Sequence, residues 1–323
     1  MRPDNQRVGA YVKAWIESLT LAQSTILRHS SIFATHIEPH ELCGVRMSEV
    51  DSQHVKTFYG ELRKGGASES TIKKAHSLLH SAFEAKRYGK DGATFRNPCD
   101  LPKNSRPKYK AQREAAPFDP DKEAAFLTAL HGDPWEALYV LALDSGMRQA
   151  ELFSLEWRDI DWASGTVEVR RTLKDTANGL DIGETKNKAR RAIKLAPTTC
   201  KALDAHRRVQ SHKDGLQRLV FPDQAGGYLR RQNFDRRSFA TALRRAQEQS
   251  GFNFTGHTFH DLRHTCATLL LQDGEAIPRV SQRLGHSTVK TTLDFYAHAV
   301  PQDEDRPAAR FEQRRARGPF SRS

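Results

Sequence analysis

The stretch His260–His298, HDLRHTCATLLLQDGEAIPRVSQRLGHSTVKTTLDFYAH, carries three clusters whose side chains suit one another chemically. His260-Asp261-Leu262-Arg263 opens a helical pattern, and a spacing of three puts His260 and Arg263 on one helix face. Imidazole and guanidinium together suit a single anionic oxygen site. The plain alternative is a helix cap by Asp261 with two surface residues beside it. Leu284-Gly285-His286-Ser287 follows, and Tyr296 lies ten residues beyond His286, within Asp294-Phe295-Tyr296-Ala297-His298. A tyrosine in a helix is, by itself, a packing residue with its hydroxyl at the surface. His260 and His264 also stand at i and i+4, the spacing of a helical metal pair. The glutamate of HExxH is missing and no further ligand is evident, so the sequence argues against a metal site.

Upstream, Ser145-Gly146-Met147-Arg148-Gln149-Ala150-Glu151-Leu152 places an arginine at the mouth of a helix, just after a glycine turn. A cation there opposes the helix dipole. A bound phosphate would supply the reason, because backbone N–H groups and the guanidinium would share the anion. Glu151 is spaced to steady Arg148, and taken alone the two read as a structural pair.

Around these clusters the chain from Phe118 onward is mostly helical with one small antiparallel sheet. Helices are expected over Asp121–Leu130, Trp135–Ser145, Gln149–Leu155, Thr198–Ser211, Arg236–Gln249, His260–Gln272, Ile277–Leu284 and Val289–His298. Gly165 opens a strand in which Val167 and Val169 alternate with polar residues. A second strand approaches Lys186, turns near Asn187–Ala189 and returns through Arg191–Leu195.

The first hundred residues read as a separate all-helical unit. Stripes appear in VGAYVKAWIES and at Ile26, Phe33 and Ile37. A third helix begins at the N-cap candidate Asp51 and stops at Gly65-Gly66. The fourth starts after Ser68, with Ile72, Ala75, Leu79 and Phe83 on one side and Lys73, Lys74, Lys86 and Arg87 on the other. A linker, NPCDLPKNSRPKYKAQREAAP, runs from Asn97 to Pro117 with four prolines and, between Lys103 and Arg113, five basic residues and no acid. Proline keeps such a segment extended and free of helix. It suits a strap across a nucleic-acid backbone, or else a solubilising spacer. Lys73, Lys74, Lys103, Arg106, Lys108 and Lys110 are therefore the candidate DNA contacts.

Composition narrows the partner. At 323 residues the chain should hold two domains, and a net charge of +12 favours a polyanion. A membrane is disfavoured, because the longest clean apolar run, Ala137–Leu143, is far shorter than the ~20 residues of a span. The N-terminal MRPDNQRVGA lacks a secretory apolar stretch. Cys43, Cys99, Cys200 and Cys266 stand far apart, so neither a disulfide framework nor a zinc site is expected, and the protein reads as reduced and cytoplasmic. No GxxxxGK[ST] loop and no carboxylate cluster for two-metal chemistry is found, and no cofactor is expected.

The RxxEL of Arg148, a lysine on the hairpin, the HxLRH of His260 and Arg263, the LGH of His286 and the helical Tyr296 together resemble the tyrosine site-specific recombinases of the phage-integrase type. Order and spacing match over about residues 118–300. The resemblance implies a mainly α fold with a small antiparallel sheet in the catalytic domain. It divides the chain into a helical core-binding domain (1–100), a basic linker (101–117), a catalytic domain (118–300) and a basic tail (301–323). The implied activity is DNA strand breaking and rejoining through a 3′-phosphotyrosyl link, with Tyr296 as nucleophile. Arg148, Arg263 and His286 would hold the phosphate, and His260 would assist as general base. The family's general-acid lysine falls on Lys186, counted back from Arg191-Ala192-Ile193, with Lys188 as the alternative. Implied partners are double-stranded DNA, further copies forming a homo-tetramer on it, and accessory DNA-bending proteins, at the nucleoid. The tail with Phe311 would dock on a neighbouring protomer or stay disordered. Many integrases carry an additional arm-binding domain, whereas this chain starts at about the core-binding helices. A type IB topoisomerase and a non-catalytic DNA-binding regulator are the alternatives.

Overall fold

The computed structural model describes residues 6–87, 95–108, 116–176, 179–184, 190–214 and 217–300. The chain divides into two compact units, Met1–Glu114 with Asp175–Gly179, and Ala115–Lys174 with Leu180–Ser323.

The first unit packs α1 (Val8–Glu17), α2 (Gln23–His36), α3 (Ser52–Lys64) and α4 (Glu69–Arg87) around one core. Asp51 caps α3, its carboxylate accepting from the backbone of Gln53 and His54 at 2.9 Å each. Along α4, Ile72, Ala75, Leu79, Ala82 and Phe83 recur at helical spacing and are buried, while Lys73 and Lys74 stay exposed. These two lysines line a groove of about 510 Å³ with Arg28 and His29.

The linker departs from the expected free strap. Its first half folds onto the helical unit, because Cys99 and Leu101 are apolar and bury in that core. The Asn97 amide donates to the His80 carbonyl (3.0 Å) and the Glu84 carboxylate (2.9 Å), which fixes the segment to α4. A 3₁₀ turn follows at Lys103–Ser105, where an extended chain is expected, and Arg106 Nε donates back to the Leu101 carbonyl at 2.5 Å. Lys103, Arg106 and Lys108 remain exposed; Lys110 lies outside the described residues.

In the second unit, α5 (Pro120–Ala129) starts from the Asp119 cap with proline at its first position. Next comes α6 (Glu136–Ser145), the helix that contains the apolar run Ala137–Leu143. It is buried on nearly all sides, which explains a hydrophobic pattern without an amphipathic stripe. Phe126 on α5 is fully enclosed by rings, with Phe118, Tyr139, Phe239 and Phe254 at 5.4–6.3 Å.

The short α7 (Gln149–Leu152) leads to the strands: β1 (Ile160–Asp161), β2 (Thr166–Val169), β3 (Arg171–Thr176), β4 (Gly179–Glu184) and β5 (Arg191–Lys194). The expected turn near Asn187–Ala189 lies outside the described residues, and the described strands on either side of it, β4 and β5, do not pair with each other. β5 is antiparallel to β2, with Val167 opposite Ile193, in a sheet of order β1-β2-β5, while β3 and β4 pair with each other. Two physical reasons account for this. Val167 and Ile193 are both buried on the core face, and β3 and β4, only two residues apart in sequence, close locally at small entropic cost.

Helices complete the unit: α8 (Pro197–Asp214), α9 (Arg231–Phe234), a π turn (Asp235–Phe239), α10 (Ala240–Ser250), α11 (Phe259–Gln272), α12 (Ile277–Leu284) and α13 (Val289–Tyr296). The helix expected from Arg236 thus begins inside the π turn. Among the described residues, no helix is long and apolar enough to cross a membrane.

Tyr139 offers a sharp packing test, because its hydroxyl is buried without a hydrogen-bond partner among the described residues. Tyr139→Phe should leave the urea midpoint unchanged or raise it. Phe126→Ala should destabilise the same unit by about 3–5 kcal/mol. A large loss in Tyr139→Phe would show that the hydroxyl is bonded.

Candidate active site

The site grows from the buried carboxylate of Glu151 on α7, which is 2% exposed. Arg148 stands at the helix N-cap, and its own backbone N–H donates to Glu151 Oε2 at 2.8 Å. Arg148 Nη1 reaches Oε1 at 3.0 Å. From the first residue of β5, Arg191 forks onto the same carboxylate, with Nη1 to Oε1 at 3.1 Å and Nη2 to Oε2 at 2.6 Å. Burial alone would raise the Glu151 pKa, but the Arg191 hydrogen bonds and charge, with help from Arg148, outweigh it and lower it.

Two glycine carbonyls extend this frame. Arg148 Nη2 donates to Gly285 O at 3.1 Å, and Arg263 Nη1 donates to Gly146 O at 2.6 Å. Both glycines end helices in the left-handed region, Gly146 at φ 61° and Gly285 at φ 70°. Neither has room for a side chain. A Cβ at Gly146 would lie 2.6 Å from Leu284 Cδ2, and one at Gly285 would lie 2.8 Å from Arg191 Nη1. Arg191 Nε also donates to the Arg283 carbonyl at 2.9 Å, tying β5 to the end of α12.

Arg263, on α11, is 3% exposed and donates to no carboxylate among the described residues. Burial, then repulsion from Arg148, weakens its hold on its proton to about 10, so it stays charged at neutral pH. Arg148 and Arg191 thus take up the one carboxylate of Glu151, while Arg263 feels its charge without bonding it. A buried cation in excess of its partners calls for an anion from outside. Asp261 does cap α11, accepting from Thr258 N at 2.6 Å and Thr258 Oγ1 at 3.0 Å. The cap accompanies the cluster, because Arg263 is buried and not a surface residue.

His286 follows the Gly285 turn, and its Nδ1 lies 2.8 Å from the buried Thr292 hydroxyl. Burial first, then Arg263 and Arg148, pushes its pKa down to about 4. His260 is exposed as a residue, but the protein packed around its ring, then His264 and Arg263, lowers its pKa to about 4. Both imidazoles are therefore neutral at pH 7.

Tyr296, the last residue of α13, is 3% exposed, so its hydroxyl is buried where a surface position is expected of a helical tyrosine. That hydroxyl meets His264 Nδ1 at 2.7 Å. Burial raises its pKa to about 12, against the pull of Arg263. The expected base, His260, makes no hydrogen bond with it. The His260 ring packs edge-on against His264 at 4.7 Å, so His264, one turn further along α11, is the residue at the hydroxyl.

The structure thus gathers Arg148, His260, Arg263, His286 and Tyr296 in the second unit. Lys186 and Lys188 lie outside the described residues. Sequence reasoning missed Arg191, which served only to mark a returning strand, and weighed His264 only as a metal ligand. Among the described residues no His, Cys, Asp and Glu cluster could hold a metal.

The model of the phage integrase family matches residues 120–303, more than half of the chain. The chain belongs to the phage integrase family. It is similar to a tyrosine recombinase XerC-like protein of Caldanaerobacter subterraneus, 27% identical over 308 residues that cover 87% of this chain and 75% of that one. It is also similar to the ICEBs1 integrase of Bacillus subtilis, 24% identical over 82% of this chain and 72% of that protein. Its fold is similar to that of the Tn1549 transposon integrase solved with circular-intermediate DNA (TM-score 0.81, 22% identity, 96% and 100% covered). The likeness extends to a lambda integrase dimer on a core site (TM-score 0.65, 16% identity, 88% and 97% covered). This integrase is accordingly a tyrosine recombinase, an enzyme that breaks and rejoins DNA strands.

The shared carboxylate gives a quantitative expectation. Glu151→Ala should cost this recombinase about 3–5 kcal/mol in urea unfolding of its second unit, since the nearly buried Arg191 guanidinium loses its carboxylate. Adding Arg191→Met should recover part of that loss by removing one stranded charge. Strictly additive losses would mean that the three side chains do not act as a unit.

Proposed function

We propose that the chain integrates or excises a mobile element by cutting and resealing DNA at specific sites, with Tyr296 as the nucleophile. The observation that carries this reading is the buried Tyr296 hydroxyl beside Arg263, in a pocket with more guanidinium charge than carboxylate. A phosphodiester supplies the missing anion. Arg148 and Arg263 clamp its non-bridging oxygens as charge rearranges, and neutral His260 and His286 hydrogen-bond the same oxygens. The tyrosine oxygen attacks phosphorus, the 5′-oxygen leaves with a proton from Lys186, and a 3′-phosphotyrosyl link stores the bond energy. Religation then needs no ATP.

Around the chemistry, the helical unit acts as a core-binding clamp. Lys73 and Lys74 of its basic groove, with Lys103, Arg106, Lys108 and Lys110 of the linker, contact the phosphate backbone of double-stranded DNA. Exchange between two duplexes requires four cleavages, so four copies assemble on the DNA, and accessory bending proteins shape the sites. The lambda integrase, whose fold is similar, has been solved as a tetramer bound to a Holliday junction. The ICEBs1 integrase, a relative named for a mobile element, supports the integrative role, beside relatives named as XerC recombinases. The work takes place in the cytoplasm, at the nucleoid.

The test uses nicked duplexes carrying the core site, assayed in EDTA. Wild-type protein should form an SDS-resistant adduct, and Tyr296→Phe should bind the duplex with none. Lys186→Ala should slow adduct formation about 100-fold or more on the phosphate and recover on a 5′-phosphorothiolate, whose sulfur leaves without a proton. An adduct in Tyr296→Phe rejects the assignment, and rescue in Lys188→Ala alone moves the acid by two residues.

A further inference from the structure

The hydroxyl of Tyr296 has one hydrogen-bond partner among the described residues, and it is not the histidine of the HxLR pattern. His264 Nδ1 lies 2.7 Å from it, with the two rings 5.5 Å apart at 52°. Resting on the reading of Tyr296 as nucleophile, we propose that His264 takes the phenolic proton as the tyrosine oxygen attacks, and returns it on religation.

Position favours this assignment over His260. The two histidines sit one turn apart on α11, with the His260 ring edge-on to His264 at 4.7 Å and 89°, and only His264 makes a hydrogen bond to the phenol. His264 is half-buried between α11 and α13, where Phe295 and Tyr296 both contact its ring. A phenol as buried as this one keeps its proton at neutral pH, so an acceptor must already be in hydrogen-bond reach when the oxygen attacks. The groups that act on the pair are His260, Arg263 and Cys266 on the same helix, His286 at the turn before α13, and the Asp261 carboxylate, which acts on both His260 and Tyr296. Arg263 favours the phenolate and so assists the transfer.

The step balances. The Tyr296 oxygen–phosphorus bond forms as the bond from phosphorus to the 5′-oxygen breaks. The phenolic proton passes to His264 Nδ1, and the 5′-oxygen takes its own proton from the general acid. Religation runs the same transfers backwards, the charged His264 reprotonating the departing phenolate. The resting imidazole must therefore be neutral, with its proton on Nε2.

The experiment measures single-turnover adduct formation against pH on a nicked duplex bearing a core site selected by binding from random-sequence DNA. A 5′-phosphorothiolate linkage is used so that only loss of the phenolic proton is read. The wild-type rate should rise with pH across the imidazole range, between about pH 5 and 8. His264→Asn keeps a hydrogen-bond acceptor near the hydroxyl but cannot hold the proton. It should bind the duplex like wild type, slow the reaction about 100-fold or more, and lose the rise. His260→Asn should keep the rise. A wild-type rate flat over that range, or His264→Asn with wild-type rate and profile, overturns the assignment. If Tyr296→Phe still forms adduct, the fault lies with the nucleophile and not with His264.

Discussion

The carboxylate of Glu151 takes hydrogen bonds from Arg148 and Arg191 while almost completely shut off from water, and the geometry of the site hangs on it. Without that charge, the Arg148 and Arg191 guanidiniums would face one another with only backbone carbonyls to hold them. With it, the mouth of α7, the start of β5 and the end of α12 are drawn to one point, because Arg148 and Arg191 also bind the carbonyls of Gly285 and Arg283. A buried ion pair of this kind adds little net stability. Its effect is positional: it fixes the guanidiniums in place, so that under the proposed function they would meet the phosphate already oriented, with no reorganisation needed as charge develops.

The rest of the second unit keeps that arrangement rigid. The apolar helix α6 is enclosed on nearly all sides and ends at Gly146, whose carbonyl fixes Arg263. Arg283 adds a second tie, binding the Asp144 carboxylate at 2.6 Å and the Lys194 carbonyl at 3.1 Å, so α12 is joined to both α6 and β5. Glycine is required at 146 and 285 for two reasons at once: the left-handed backbone, and the closeness of Leu284 and Arg191. The motifs SGMR and LGH are thus packing signals as much as chemical ones.

Much of this was legible in the sequence. Asp51 and the buried stripe of α4 follow from local spacing, which a single chain displays, whereas Arg148, His260, Arg263, His286 and Tyr296 were singled out because together they resemble a family's motif order. What escaped depends on contacts between distant segments. Arg191 lies 40 residues from Glu151, and nothing local distinguishes it from Arg190 beside it. His264 shares its helix with His260, and only the packing of α13 decides which of them meets Tyr296. The strand pairing failed for a related reason: segments of four to six residues can pair with several neighbours, and burial of Val167 against Ile193 chooses among them. Cys99 and Leu101 were likewise hidden among prolines and lysines, though they anchor half of the linker in the helical core.

The claim that Tyr296 attacks DNA from a preassembled cationic pocket is tested most directly by finding the bond it forms. Adduct trapped on a nicked duplex labelled separately at each strand end would be digested with nuclease and trypsin, and the DNA-bearing peptide sequenced by mass spectrometry. The account predicts a nucleotide remnant on Tyr296 within the tryptic peptide Thr291–Arg310, since the Arg306–Pro307 bond resists trypsin, joined through a 3′-phosphate, with a free 5′-hydroxyl on the released strand. A remnant on any other residue, or a link through a 5′-phosphate, would contradict it.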